Sequence, residues 1–300
     1  RVSPRALSAL ALLVAVGGAL PAQAQTMIDV QRFKPSPFWQ DGFGVGSGDT
    51  ESPYRWNIGG YLHYQNDPLV LRATSDDGVV RTIVGHQVMA DILGAYRITD
   101  WFSVGAALPV VIYQAGNTYS GANEPNAAGL GDIRIYPRFR LLRVGEGLFS
   151  MSITPMVTVP TGRLFNRYTG RPNVTFQPTL AMSTDLGRVG FSFDVGYVLT
   201  KDAAAAGLDL GDELTLAAGA RVTLIEDVLD LHAEVQSATG ISDPFGGART
   251  SPLDLLGGGR WHMIPGLDLA FGAGMGLSQG YGSPDYRLFL GLLAAGPTED

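Results

Sequence analysis

Leu229-Asp-Leu-His-Ala-Glu-Val235 places apolar side chains at every second position, with Asp230, His232 and Glu234 between them. Successive side chains of an extended chain leave on opposite sides, so a period of two marks a strand with one apolar and one polar face. Val189-Gly-Phe-Ser-Phe-Asp-Val195 and Leu267-Asp-Leu-Ala-Phe-Gly-Ala273 repeat the pattern. No stretch of similar length carries the i, i+3, i+4, i+7 stripe of an amphipathic helix.

The same reading along the chain predicts twelve strands: 54–64, 88–98, 102–112, 129–142, 147–159, 173–184, 189–199, 212–224, 229–240, 251–263, 267–277 and 284–294. Most hold eleven to fourteen residues. That exceeds the roughly five or six of soluble strands and suits the roughly 9–11 of a tilted strand crossing a bilayer. The connections alternate strictly. Thr99–Trp101, Arg143–Glu146, Asp185–Arg188, Glu226–Val228 and Ile264–Gly266 are short, whereas 65–87, 113–128, 160–172, 200–211, 241–250 and 278–283 are long. Outer-membrane barrels have short periplasmic turns and longer extracellular loops. The expected fold is therefore all-β: a transmembrane, antiparallel, up-and-down barrel of twelve strands over 54–294, with both termini in the periplasm. Pro137, Pro155 and Pro178 fall inside three consecutive strands. Proline cannot donate to a ladder and a closed barrel has no edge to hide it, so bulges or displaced boundaries are expected there.

Composition agrees with a membrane solvent. Only 16% of residues are charged, 45% are hydrophobic, and none of the 300 is cysteine. The last point excludes disulfides, thiol catalysis and Cys-ligated metals. The net charge of -7 disfavours nucleic acid as a partner. At the N-terminus, Arg1 and Arg5 precede the apolar run Ala6–Leu20 and an Ala-x-Ala site at 22–24. Residues 1–24 read as a secretory signal peptide, 25–53 as an N-terminal periplasmic segment or plug, and 295–300 as the start of a linker.

In strand 129–142, Ile133, Ile135, Phe139 and Leu141 oppose Asp132, Arg134, Tyr136, Arg138 and Arg140. Arginines in such a row need pairing or water, which a polar lumen supplies. Inward-facing charges are expected at Arg134, Arg138, Arg140, Arg221, Glu213, Asp230, His232, Glu234, Arg260, Asp285 and Arg287, with Gly272, Gly274 and Gly276 leaving room opposite them. Trp56, Tyr64, Trp101, Phe102, Tyr113, Trp261 and Tyr286 near strand ends suit an interfacial girdle.

Other chemistry is weak. Gly276-Leu-Ser278-Gln-Gly280 matches a nucleophile-elbow pattern, but a strand rather than a helix follows it. His232 and Glu234 share a face without further metal ligands, so they read as a lumen network. Gly257-Gly-Gly259 lies on a strand, and the acidic pieces Ser75–Gly78 and Asp209–Glu213 read as solvated loop charge rather than calcium sites. No catalytic residue, metal or cofactor is expected.

Several pieces resemble the N-terminal outer-membrane barrel modules of OmpA-type proteins in myxobacteria. They are Gln31-Arg32-Phe33-Lys34-Pro35, Pro68-Leu69-Val70-Leu71, Gly129-Leu130-Gly131-Asp132-Ile133-Arg134, Pro160-Thr161-Gly162, Gly211-Asp212-Glu213-Leu214 and 280–287. A looser resemblance, through the Leu-Gly-Asp and Pro-Thr-Gly motifs, is to phenol-degradation-type outer-membrane transporters. The first resemblance implies peptidoglycan contact only through a C-terminal domain that this sequence does not contain. Outer-membrane lipid and the barrel-assembly machinery are the expected partners.

The expected function is a passive, porin-like pore or an envelope-structural barrel. The alternative is a substrate-specific transporter for hydrophobic compounds, which needs a plug, for which 25–53 is the candidate, or a lateral gap. A hydrolase lacks a convergent Ser/His pair, and a soluble adhesin does not account for the alternating loops.

Overall fold

The computed structural model describes residues 28–72, 79–117, 128–162, 168–201, 203–205, 208–247, 250–278 and 280–297. The signal segment, the acidic piece at 75–78 and residues 298–300 lie outside them.

Twelve strands form the wall: β1 (Tyr54–Arg72), β2 (Val79–Thr99), β3 (Phe102–Ala115), β4 (Ile133–Val144), β5 (Phe149–Val159), β6 (Thr175–Asp185), β7 (Val189–Val198), β8 (Glu213–Ile225), β9 (Leu229–Gly240), β10 (Leu253–Ile264), β11 (Leu267–Gly276) and β12 (Tyr286–Pro297). Each pairs antiparallel with its sequence neighbours, and β12 returns to β1 from Tyr54↔Pro297 to Asn66↔Tyr286. The sheet is thereby closed and exposes no edge. Gly129–Leu130 adds a short pairing on β3, and Ala203–Ala205 pairs with Leu208–Leu210 within one loop.

Alternation separates two environments. Along β12, Leu288, Leu290 and Leu292 are about half exposed, whereas Arg287, Phe289 and Leu293 are buried. Ile58, Leu62, Ile92, Phe191, Leu231 and Phe271 continue the exposed apolar belt around the wall. Such a belt is the lipid face of a membrane barrel. Trp56, Trp101, Tyr113, Trp261 and Tyr286 are exposed on it as well.

The connections keep their alternation, with short turns at one end of the barrel and long loops at the other. Two boundaries differ from expectation. The first hairpin runs on to Arg72 and from Val79, so its loop shrinks to 73–78. The strand passes Asn66-Asp67-Pro68 as a bulge, with Asp67 at φ 50°. The last strand reaches Pro297, three residues into the expected linker.

The prolines make neither bulges nor breaks in the strands. Pro155 stands opposite Pro178 in the β5–β6 register. The β4–β5 pairing skips from Ile135↔Val157 to Phe139↔Ile153, which puts Pro137 opposite Pro155 in an unpaired interval. The β6–β7 ladder starts only at Thr179↔Gly196, with an isolated bridge at Phe176↔Leu199 beyond the proline. Three prolines thus form one row across adjacent strands, and the ladder is missing on either side of the β5–β6 pair, between Pro137 and Pro155 and between Pro178 and β7. We call this row the seam. In native-state hydrogen exchange of the lipid-embedded protein, amides at 135, 139, 153 and 157, which flank the unpaired interval between β4 and β5, should exchange faster than those of β1 and β2 at the same depth. Equal protection would show that the wall is continuous there.

Candidate functional site

The barrel interior is occupied by residues 28–50, and 51–53 lead out of it to β1. Ile28 and Val30 pack with Leu69, Ile83, Val84, Tyr168 and Tyr281 at the long-loop end. At the other end, Thr50 Oγ1 donates to the carbonyl of Asp100 in the β2–β3 turn at 2.6 Å. The segment therefore runs the length of the barrel and joins β1 at the short-turn end. The described ends Ile28 and Pro297 consequently lie at opposite ends of the barrel, whereas both termini were expected on one side.

Two kinds of contact hold this plug. Phe33, Phe38 and Phe43 form a buried cluster with Tyr61, Leu93, Tyr136, Met156, Leu256, Phe289 and Leu293 of the wall. Phe289 meets Phe33 and Phe43 at ring-centroid distances of 5.2 and 4.7 Å. Gly272 admits this ring, because a Cβ there would collide with it. The glycine thus makes room for an aromatic core and not for charged side chains, and much of the interior is apolar.

The second kind is polar. The plug has no regular secondary structure, so its backbone groups must find partners elsewhere. Glu234 accepts the N–H groups of Phe43 at 2.5 Å and Gly44 at 3.0 Å. Asp194 Oδ2 accepts that of Gly46 at 2.7 Å, and Ser183 accepts that of Gly48 at 3.0 Å. Arg260 donates to the carbonyl of Trp39 at 2.7 Å, and Asn57 to that of Pro37 at 2.7 Å. Arg138 grips Asp41 through both nitrogens at 2.7 and 2.6 Å, and its guanidinium lies 3.8 Å over Phe38.

Arg32 of the plug and Arg171 of a long loop meet Glu213 at 2.9 and 2.6 Å. Arg134 pairs with Asp91 of β2, which also meets His63 and Gln31. Arg287 lies 3.6 Å from Asp254 and donates to Gln65 at 3.1 Å. Arg140 reaches Asp49 at 3.8 Å. Arg221, Asp230 and His262 form a partly exposed group at the short-turn end. His232 is buried against the Phe43 ring, and its Nε2 has no partner. Asp285 departs from expectation. It lies ahead of β12, its N–H bonded to the carbonyl of Asn66, and its side chain is exposed. The others face inward, but as supports for the plug and for one another instead of as a ring around open water.

Ser278 accepts from the N–H of Leu253 and donates to the carbonyl of Ser251, closing a turn. No group of three or more metal-ligating side chains occurs among the described residues. Asp41, Asp91, Asp194, Asp254 and Arg171 were not singled out from sequence. Asp194 occupies a polar position of the quoted 189–195 alternation, so its direction was readable, though its partner was not.

Asp41–Ser47 divides the remaining space. On the long-loop side lies a cavity of about 190 Å³ touching Asp41, Gly44 and Gly46. On the short-turn side lies a vestibule of about 610 Å³ touching Gly42, Val45 and Ser47, bordered by 145–148 and Asp185. The inward residues of the seam, Tyr136, Arg138, Thr154, Met156, Gln177 and Val198, all line the first cavity. The axial route is interrupted by the plug, and the cavity lies against the weakest part of the wall.

A family model described as "Putative MetA-pathway of phenol degradation" matches residues 69–280. The chain belongs to this family. The match agrees with the looser of the two resemblances drawn from sequence; the comparisons give no support to the OmpA-type one. Among solved structures, this family member is similar to an outer membrane channel from Pseudomonas putida F1, with 12% identity and a TM-score of 0.64, covering 83% of this chain and 97% of that one. It is also similar to the NanC porin, with 7% identity, a TM-score of 0.53, and 80% and 99% coverage. The KdgM porin gives 8% identity, a TM-score of 0.51, and again 80% and 99% coverage. At these identities the likeness is one of fold. No curated protein sequence matches the chain.

Two outcomes follow from the plug contacts. Arg138→Glu replaces a buried bidentate pair with two facing carboxylates, a loss of roughly 3–5 kcal/mol. Limited proteolysis should then cut within 28–53 while the strands stay protected; an uncut segment would show that Arg138 does not anchor it. The second concerns Asp132, in the loop before β4, which accepts the N–H groups of Gly162 at 2.9 Å and Arg171 at 2.7 Å. Burial pushes its pKa up from 3.8 to about 6 against those two hydrogen bonds. The folded chain then holds a proton the unfolded chain has lost, so this stabilisation is full below about pH 4 and lost as pH rises through about 6. Asp132→Asn should flatten the fall in unfolding temperature across that interval. An unchanged slope would remove Asp132 from the balance.

Proposed function

We propose that this family member is an outer-membrane channel for small apolar compounds, which reach the inner cavity from the long-loop side and leave sideways through the seam into the bilayer. The observation that carries this reading is the conjunction of a filled axial lumen with a row of prolines that interrupts two ladders of the wall and is backed by a cavity. A lateral route suits an apolar solute, because the bilayer is its better solvent and the seam has fewer hydrogen bonds to open. The family's description supports aromatic compounds as substrates. Loop lengths support placing the short turns and Pro297 on the periplasmic side. A water-filled pore for polar solutes suits the structure less well, since Asp41–Ser47 crosses the axis. A plain structural barrel does not account for the cavity behind the seam.

Vesicles with a lipopolysaccharide outer leaflet and the full chain should admit radiolabelled p-xylene faster than empty vesicles, without passing glucose at porin-like rates. Replacing Pro137, Pro155 and Pro178 together with valine restores the missing donors and should slow p-xylene entry. Rapid glucose passage, or p-xylene entry indifferent to the triple substitution, would overturn the lateral route.

A further inference from the structure

The seam holds two breaks in the wall, and they differ on their inner sides. Between β4 and β5, Pro137 faces Pro155, so neither strand donates there. Arg138 crosses that break from inside. Its Nε donates to Thr154 Oγ1 at 3.1 Å, and its other nitrogens hold Asp41 of the plug at 2.7 and 2.6 Å. Phe38 backs the same place, edge-on to Tyr136 and beneath the Arg138 guanidinium. A neutral molecule leaving by this break has to part a buried ion pair, which strands unpaired charge in a dry interior.

The break between β6 and β7 is closed more lightly. The bridge Phe176↔Leu199 keeps the register of Thr179↔Gly196, so Gln177 stands opposite Val198 and Pro178 opposite Tyr197. Gln177 and Val198 face the cavity, beside Thr179 and Thr215. From β6, Gln177 Nε2 reaches over β7 and donates to Thr215 Oγ1 of β8 at 3.3 Å. Gly196 of β7 lies beneath this reach. A Cβ there would stand 3.2 Å from Gln177 Nε2, 2.5 Å from Thr215 Oγ1 and 2.8 Å from Thr179 Oγ1. Over this stretch β7 stays paired with β8, from Glu213↔Val198 onward, so parting β7 from β6 carries β8 along and stretches the tie. Outside, Phe176 and Leu199 are exposed, and the break opens onto the lipid belt. One long hydrogen bond between neutral groups resists opening far less than a buried ion pair does. We infer that the β6–β7 break is the exit of the lateral channel and that Gln177, tied to Thr215 over Gly196, is its latch. This rests on the lateral-channel reading and adds what that reading leaves open, where along the seam the solute leaves and which side chain sets the rate.

The sequence contains no cysteine, so introduced pairs act alone. Gln177→Cys with Val198→Cys spans the β6–β7 break, and Tyr136→Cys with Met156→Cys, opposite each other in register, spans the β4–β5 break. Each full-length double variant is placed in the lipopolysaccharide vesicles, and entry of radiolabelled p-xylene is measured oxidised and again after reduction. Oxidation of the first pair should lower entry to the rate of empty vesicles, and reduction should return it to at least the wild-type rate. The second pair should give one rate in both states. A loss confined to the second pair, or shared by both, overturns the assignment of the exit while the lateral route stands. Entry indifferent to either cross-link overturns the seam route and the latch together, and wild-type entry no faster than that of empty vesicles removes the channel reading itself. If the first pair does not cross-link, Gln177→Met carries the test, because it keeps the length of the side chain and loses the donor. Entry should then rise by about two- to tenfold, the equivalent of one neutral hydrogen bond. An unchanged rate overturns the latch.

Discussion

Irregular backbone inside a closed barrel survives only where every amide it exposes is met from the wall. Residues 28–53 have no ladder of their own, and the inward face supplies the partners: Glu234 and Asp194 for N–H groups, Arg260 and Asn57 for carbonyls. This requirement accounts for carboxylates that lie in the interior without a wall cation beside them. They pair with polypeptide. It also accounts for the glycines of the plug, since a Cβ at Gly48 would collide with the carbonyl of Ser150. The close approach that makes the hydrogen bonds possible leaves no room for a side chain.

The same filling makes the barrel uneven around its circumference. Phe33 and Phe43 lean toward β10–β12 and β1, where Leu256, Phe289 and Tyr61 complete an apolar core. The cavity remains on the β4–β9 side, and there the proline row interrupts the ladder. Core packing and wall continuity thus coincide on one side, and empty space and missing hydrogen bonds on the other. A local opening draws on the part of a structure with the fewest buried contacts and weakest hydrogen bonding, and here that part is set by position within the barrel.

The fold was legible because period-two alternation is a local property and twelve copies of it reinforce one another. Leu229–Val235 reads as a two-faced strand whatever lies beside it. The inward direction of Arg134, Arg138 and Glu234 followed from the same parity. What they touch did not, because their partners lie far off in sequence: Arg138 meets Asp41 and Glu234 meets Phe43, 97 and 191 positions away. Pro155 was visible as an anomaly, but its alignment with Pro137 and Pro178 depends on register, which no single strand encodes. The long connection expected over 65–87 failed for the opposite reason, since the first hairpin continues through it past a bulge at Asn66–Leu69.

The plug enters at one end of the barrel and becomes β1 at the other, while the closing contact, β1 with β12, joins the two extremes of the wall sequence. If that contact formed first, residue 28 and all that precedes it would have to be drawn lengthwise through a finished cylinder. Gathering 28–53 into the curling sheet before the last pairing avoids any threading. The interior contacts of Phe33, Asp41 and Phe43 then act as a mandrel around which the sheet curls, and the order of assembly is written in where the chain crosses its own axis.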